Sequence, residues 1–404
     1  MLWKIQRHAY YYTTVAIFAH LDGPVDSAQL RAWHQELVAA NPRFAHRVGG
    51  SNRRPRWEPD PHFTVDRHVL RVSLPIDADE ARLQHLMLSL VNTPLPADTA
   101  PWQAYLIDGA PDGRVLYVLK TVHALADGLR LMELFNGRRS PIGADPSGEA
   151  AGRRERAARG LARARLWYRL TGSVIAPTGT EKETEKASGV RQYALYTVPR
   201  TDLKQAAEAA GGTANDVLLC AVARGVARYR SQQHGRHPTE LSVMTMVGRR
   251  HLSAPHAGNN ITFASLVLPT RDDIGEALRG TRAAVEASGG SRPADVAALA
   301  SRLAPVMPPS LLVAGLRHLA RRHDVMVTNV PLSRDTISIA GRAASAVFGI
   351  APLLGTSIVV AMLSYRETCH ITVNVDPARI ADLPVLVHCL RAAFDEITAW
   401  GTGH

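Results

Sequence analysis

Two hydrophobic periods, one of strands and one of helices, run through the chain and fix most of its elements. Leu116-Tyr117-Val118-Leu119-Lys120-Thr121-Val122 is a short apolar run and predicts a buried strand, and a helix start follows Gly128. Val15-Ala16-Ile17-Phe18-Ala19 predicts another strand. Polar and aromatic residues interrupt its surroundings and no small-residue cleavage site follows, so it does not read as a signal peptide. Tyr193 to Val198 predicts a strand and Thr201 to Ala210 a helix, which Gly211-Gly212 closes. Thr213, Asn215 or Asp216 caps the next helix, whose apolar body runs from Val217 to Tyr229. Leu241 to Val247, Ile261 to Leu268, Ile358 to Leu363 and His370 to Val375 predict further strands. The polar stretch from Thr178 to Gly189 lacks any hydrophobic period and reads as a flexible linker. It divides the chain into an N-terminal half, 1–177, and a C-terminal half, 190–404.

A length of 404 residues allows two ample cores, and no stretch approaches the roughly 20 apolar residues that span a bilayer. Cys220, Cys369 and Cys389 lie far apart, which supports neither a disulfide framework nor a zinc site and points to a reducing cytoplasm. The net charge of +11 suits a phosphate-bearing substrate, an anionic membrane surface or nucleic acid. No helix-turn-helix, zinc-finger or RNA-recognition pattern is present, so nucleic acid is not the expected partner. Arg153, Arg154, Arg156, Arg159, Arg163, Arg165 and Arg169 alternate with Leu161, Leu166, Trp167 and Leu170. That pattern reads as a solvated helix with an apolar stripe, the alternative being a face for a membrane or a carrier.

The candidate chemistry sits just past the buried strand. His123 stands at its end, Asp127 follows four residues on, and Gly128 lets the backbone turn. Imidazole is the usual general base near neutral pH, and a carboxylate at that spacing can fix the loop or the ring. Taken alone the pattern is a weak signal, more often a capped turn with a space-filling histidine than a catalytic site. His251, His256, His318 and His323 offer no convincing third metal ligand and read as solvated surface histidines.

Around His123 the chain resembles the wax ester synthase/diacylglycerol acyltransferase family, within the condensation-domain and CoA-dependent acyltransferase superfamily. The resemblance covers nearly the whole chain, in order. It is carried by Pro42-Arg43-Phe44 with Arg47-Val48, by Trp57 with Pro61 and Phe63, and by Thr93-Pro94-Leu95 with Pro101-Trp102. Ile107-Asp108-Gly109, Thr213-Ala214-Asn215-Asp216-Val217, Gly258-Asn259, Leu268-Pro269-Thr270, Thr328-Asn329-Val330-Pro331 and Ser364-Tyr365 continue it. The chain departs from the pattern at Val122, where the family usually has the first of two histidines, at Ala100 before Pro101-Trp102, and at Leu332 after Asn-Val-Pro.

The resemblance implies an α/β (α+β) fold of two chloramphenicol-acetyltransferase-like halves meeting at a central active-site tunnel. It implies an O-acyltransferase that moves an acyl group from a CoA or acyl-carrier-protein thioester to a hydroxyl acceptor. His123 would be the base, Asp127 an architectural carboxylate held by Arg249 or Arg250, and Gly128 a tight turn near substrate. Asn215, Arg249 and Trp102 would contact substrate, and Asn329 would stabilise the crossover between halves. No cofactor and no metal are expected, because the thioester is itself a substrate. No Gly-x-Ser-x-Gly elbow exists to demand an acyl-enzyme. A condensation-type amide synthase and a non-catalytic binding relative stand as alternatives, and peripheral membrane contact as an added partner.

Overall fold

The computed structural model describes residues 14–51, 54–123, 125, 188–235, 237–247, 262–290, 320 and 322–403. The first half contains β1 (Thr14–Leu21), α1 (Ser27–Ala40), β2 (His46–Ser51), β3 (Arg54–Pro59), β4 (Val69–Ser73), α2 (Glu80–Asn92), β5 (Trp102–Asp108) and β6 (Val115–Val122). The second half opens with β7 (Gln192–Pro199), α3 (Arg200–Ala209), α4 (Ala214–His234), β8 (Glu240–Val247), β9 (Thr262–Pro269) and α5 (Ile274–Gly290). It ends with β10 (Val325–Ser333), β11 (Ser338–Ile339), β12 (Arg342–Ile350), β13 (Ile358–Tyr365), β14 (Thr368–Val375) and α6 (Leu383–Thr402).

These strands form two six-stranded sheets, ordered β11-β12-β1-β6-β5-β4 and β7-β14-β13-β10-β8-β9, beside the β2-β3 hairpin. The division at the linker does not map simply onto the sheets. After β10 the chain crosses over, and β12 pairs antiparallel with β1, setting Phe18 against Phe348. Residues from beyond the linker therefore complete the first sheet.

Alternation explains how the first sheet is covered on both faces. Val15, Ile17 and Ala19 of β1 join the cluster holding Leu30 and Leu37 of α1. Ala16 and Phe18 face the other way, toward Leu83 and Met87 of α2 and Tyr193 of β7. Between β1 and β5, every residue of β6 is buried. In the second half α3, α4 and α6 pack over one sheet face. Glycine sets how closely they approach. A Cβ on Gly225 would lie 2.8 Å from Leu390 Cα, and one on Gly401 would lie 2.4 Å from Ala206 Cα.

Candidate active site

The strand carrying His123 is held at its exit. Val122 N–H donates to the Pro101 carbonyl, Thr121 Oγ1 donates to the same oxygen at 3.1 Å, and Leu125 N–H closes a turn on Val122 O. His123 is 8% exposed, so its imidazole sits at the very end of a buried central strand and is largely shielded from bulk water. Val122 is fully buried and packs with Leu125 and Trp102. The same cluster receives Val330 and Leu332, from the end of β10 just before the crossover. Asp127, Gly128 and Arg249, with Arg250 and the basic segment from Arg153 to Arg169, lie outside the described residues.

Asn215 stands in the first turn of α4. The cap comes from its neighbours: Thr213 N–H donates to Asp216 Oδ2 at 2.8 Å, and Asp216 N–H returns to Thr213 Oγ1 at 3.3 Å. Asn215 is thus released from capping, and its Oδ1 accepts from Asn329 Nδ2 at 3.4 Å. Of the residues expected around the reaction, the structure joins these two directly. The contact ties the helix start to β10 ahead of the crossover.

Trp102 requires a correction. It has no exposed surface, and its indole Nε1 donates to the Phe44 carbonyl at 2.7 Å. His68 stacks on the ring at 4.8 Å and His34 at 5.8 Å, with interplanar angles of 22° and 6°. A tryptophan enclosed in this way braces the start of β5 and presents no face to a substrate. Sequence reasoning also missed the supporting histidines. His34 donates from Nδ1 to Leu30 O and accepts from the Tyr117 hydroxyl at Nε2, and burial lowers its pKa to about 4. Nothing local in the sequence signals the His34–Tyr117, His34–Trp102 and His68–Trp102 pairs, because those partners are far apart in the chain.

A second correction concerns His323, expected on the surface. It is 5% exposed, and its Nε2 lies 2.7 Å from Ser265 Oγ.

Where the sheets face each other, β14 turns a polar row inward. His370, Thr372 and Asn374 are 3%, 0% and 1% exposed, and Thr328 of β10 lies in register with Thr372 across Ala361. Both His370 ring nitrogens and the Thr328 and Thr372 hydroxyls lack hydrogen-bond partners. Phe348 meets His370 edge-on at 4.8 Å, and burial followed by the charge of His20 lowers the His370 pKa to about 4. A buried lysine precedes His123 in β6. Lys120 Nζ donates to the Leu90 carbonyl at 2.6 Å and to Thr93 O at the end of α2, and burial, then Arg191, lowers its pKa to about 8.

Among the described residues no helix is long and apolar enough to cross a membrane, and no cluster of three or more metal-ligating side chains occurs. A cavity of about 290 Å³ between β7 and α6, lined by Tyr196, Phe394 and Arg391 among others, contains none of the expected site residues.

Two family models match the chain: the wax ester synthase/diacylglycerol acyltransferase catalytic domain over residues 5–149, and the WS/DGAT C-terminal domain over residues 257–398. The chain belongs to the wax ester synthase/diacylglycerol acyltransferase family. As a member it is an ester-forming acyltransferase, acting on hydroxyl acceptors. A Mycobacterium tuberculosis protein named "Putative diacyglycerol O-acyltransferase" is 26% identical over 395 residues, covering 86% of this chain and 79% of the relative. Another from the same species, "Probable diacyglycerol O-acyltransferase tgs1", is 27% identical over 385 residues, covering 85% and 81%. The wax ester synthase/diacylglycerol acyltransferase from Marinobacter aquaeolei VT8 shares the fold with a TM-score of 0.71 at 17% identity, over 99% of this chain and 98% of that one. The first condensation domain of the CDA synthetase follows at 0.63 and 20%, over 98% and 94%. The α/β architecture with two sheet-rich halves is thereby shared with both.

Proposed function

We propose that the protein carries an acyl group from a CoA or carrier-protein thioester to a hydroxyl acceptor, with His123 as the general base. The observation that supports this most is the placement of His123, an imidazole at the end of a buried central strand, shielded yet not sealed. In the proposed step, His123 takes the acceptor's hydroxyl proton as the oxygen attacks the acyl carbon. The C–S bond then breaks, and the proton passes to the departing thiolate. Restricted solvent access suits this chemistry, because water would otherwise compete as acceptor.

Asn215 would hold the acyl carbonyl. Its Oδ1 is occupied by Asn329, which orients the amide so that its N–H groups remain as donors for a developing oxyanion. Asp127 would anchor the loop after His123, paired with Arg249 or Arg250, and Gly128 would provide the turn, as the family resemblance implies. Both substrates would meet in a tunnel between the halves, and part of the basic excess would receive the phosphates of the donor.

The test is thiol release by purified protein with a panel of acyl-CoAs and alcohols or amines. His123→Ala should cost on the order of 10²- to 10⁴-fold in rate with the fold retained. A folded variant with near-normal turnover would remove His123 from this role, and turnover confined to amines would overturn the ester assignment.

A further inference from the structure

Ser265 lies on β9, the last strand of the second sheet, and pairs with Met244 of β8. Its neighbours Ala264 and Leu266 are buried and Leu266 packs toward the helices, so Ser265 emerges on the opposite face and is exposed. His323 precedes β10 and is almost wholly buried, with Nε2 2.7 Å from Ser265 Oγ. The imidazole is carried on a fixed main chain. His323 N–H donates to Ala320 O, and the next residue, Asp324, is bound on three sides. Its carboxylate takes Arg230 Nη1 at 2.5 Å and Ser242 N–H at 2.6 Å, and its own N–H donates to Ser242 O. Arg230 and Asp324 are themselves nearly enclosed, so the charge-assisted bonds that hold this turn are shielded from water.

An accessible hydroxyl against a buried, positioned imidazole is the nucleophile and base arrangement of covalent acyl transfer. With the ring proton on Nδ1, Ser265 donates to Nε2 and its oxygen is primed for attack. We propose that Ser265 is a second acyl-accepting centre, activated by His323 and independent of His123, which takes activated acyl esters and thioesters. In the step, Ser265 Oγ attacks the acyl carbon while Nε2 takes its proton. The C–S bond breaks, the thiolate receives that proton, and an acyl-serine remains. Water, deprotonated by the same imidazole, then attacks the ester, releases the carboxylic acid and restores the hydroxyl. The net reaction is slow thioester hydrolysis without any alcohol acceptor.

A fluorophosphonate probe tests this on the intact protein, because it is attacked by the same oxygen with fluoride leaving. We expect one phosphonyl adduct on the peptide carrying Ser265, in both the wild type and His123→Ala, and none in Ser265→Ala. His323→Gln should slow labelling on the order of 10²-fold or more. Acceptor-free thiol release from an acyl-CoA should survive in His123→Ala and disappear in Ser265→Ala. Should His323→Gln fail to fold, the pH profile of wild-type labelling decides the same point. A rate rising through one ionisation between roughly pH 5 and 9 supports the dyad, and a flat one overturns it. Wild-type protein that leaves Ser265 unlabelled overturns the proposal whatever the variants do.

Discussion

Arg191 and Asn92 bind each other in both directions: Arg191 N–H donates to Asn92 Oδ1 at 2.8 Å, and Asn92 Nδ2 donates to Arg191 O at 2.9 Å. The Arg191 guanidinium continues the contact, donating to Thr14 O at 2.9 Å and to Val91 O at 2.7 Å. The chain entering β7 is thus pinned to the end of α2 and the start of β1, one ladder step from the exit of the His123 strand. Asn92→Ala leaves both main-chain groups of Arg191 to find other partners. The expected loss is about 1–3 kcal/mol, read as a fall of several degrees in the thermal midpoint. A variant as stable as the wild type would show that the two halves are held by other contacts.

Asn215 and Thr213 separate chemistry from capping within one helical turn. Thr213→Ala removes the cap and should cost about 1 kcal/mol in denaturant titrations with turnover little changed. Asn215→Ala leaves the cap and should instead lower kcat on the order of 10²-fold. Equal kinetic losses in the two variants would show that Asn215 matters only through the helix end.

Acid should unfold the protein through His34 and His370. Both have folded pKa values near 4 against about 6.5 when unfolded, so the unfolded chain binds the extra protons between those values. Stability therefore rises with pH through this window and is lost as pH falls from about 6.5 toward 4. Each histidine contributes at most about 3 kcal/mol of that loss. Midpoints measured across the window should drop steeply, and His34→Gln should flatten the curve. A midpoint unchanged from pH 7 to 4.5 would contradict the burial of these rings.

The inward polar row makes the opposite kind of prediction. Thr372 Oγ1 is enclosed without a partner, which costs about 1–3 kcal/mol relative to an apolar group of the same shape. Thr372→Val should raise the thermal midpoint by a few degrees. A lower midpoint would mean that the hydroxyl does form a compensating bond.

Much of this architecture was legible in local pattern. The buried strand before His123, the strand at Tyr193 to Val198 and the closure at Gly211-Gly212 all follow from period and turn chemistry. The alternatives for the α4 cap resolve into Thr213 with Asp216, a reciprocal pair that sequence spacing permits but does not select. Trp102 was misread because the Pro-Trp pair resembles a substrate-contacting element, whereas its partner, the Phe44 carbonyl, is supplied by a distant turn. His323 was misread because its charged neighbours suggest a surface, while the fold brings Ser265 over it. The crossover strand β12 gave no clear period, since its burial alternates irregularly along Arg342 to Ile350.

That crossover governs how the chain is assembled on the ribosome. Phe18 emerges early, but its ladder partner Phe348 follows only after most of the protein has been made. Until then β1 presents a bare edge, the surface on which strands from other chains add and aggregation starts. A fragment ending at the linker keeps that edge permanently, so it should collect in inclusion bodies when produced alone. Supplying residues 190–404 as a separate polypeptide should rescue it, because the missing strand then arrives from a second chain.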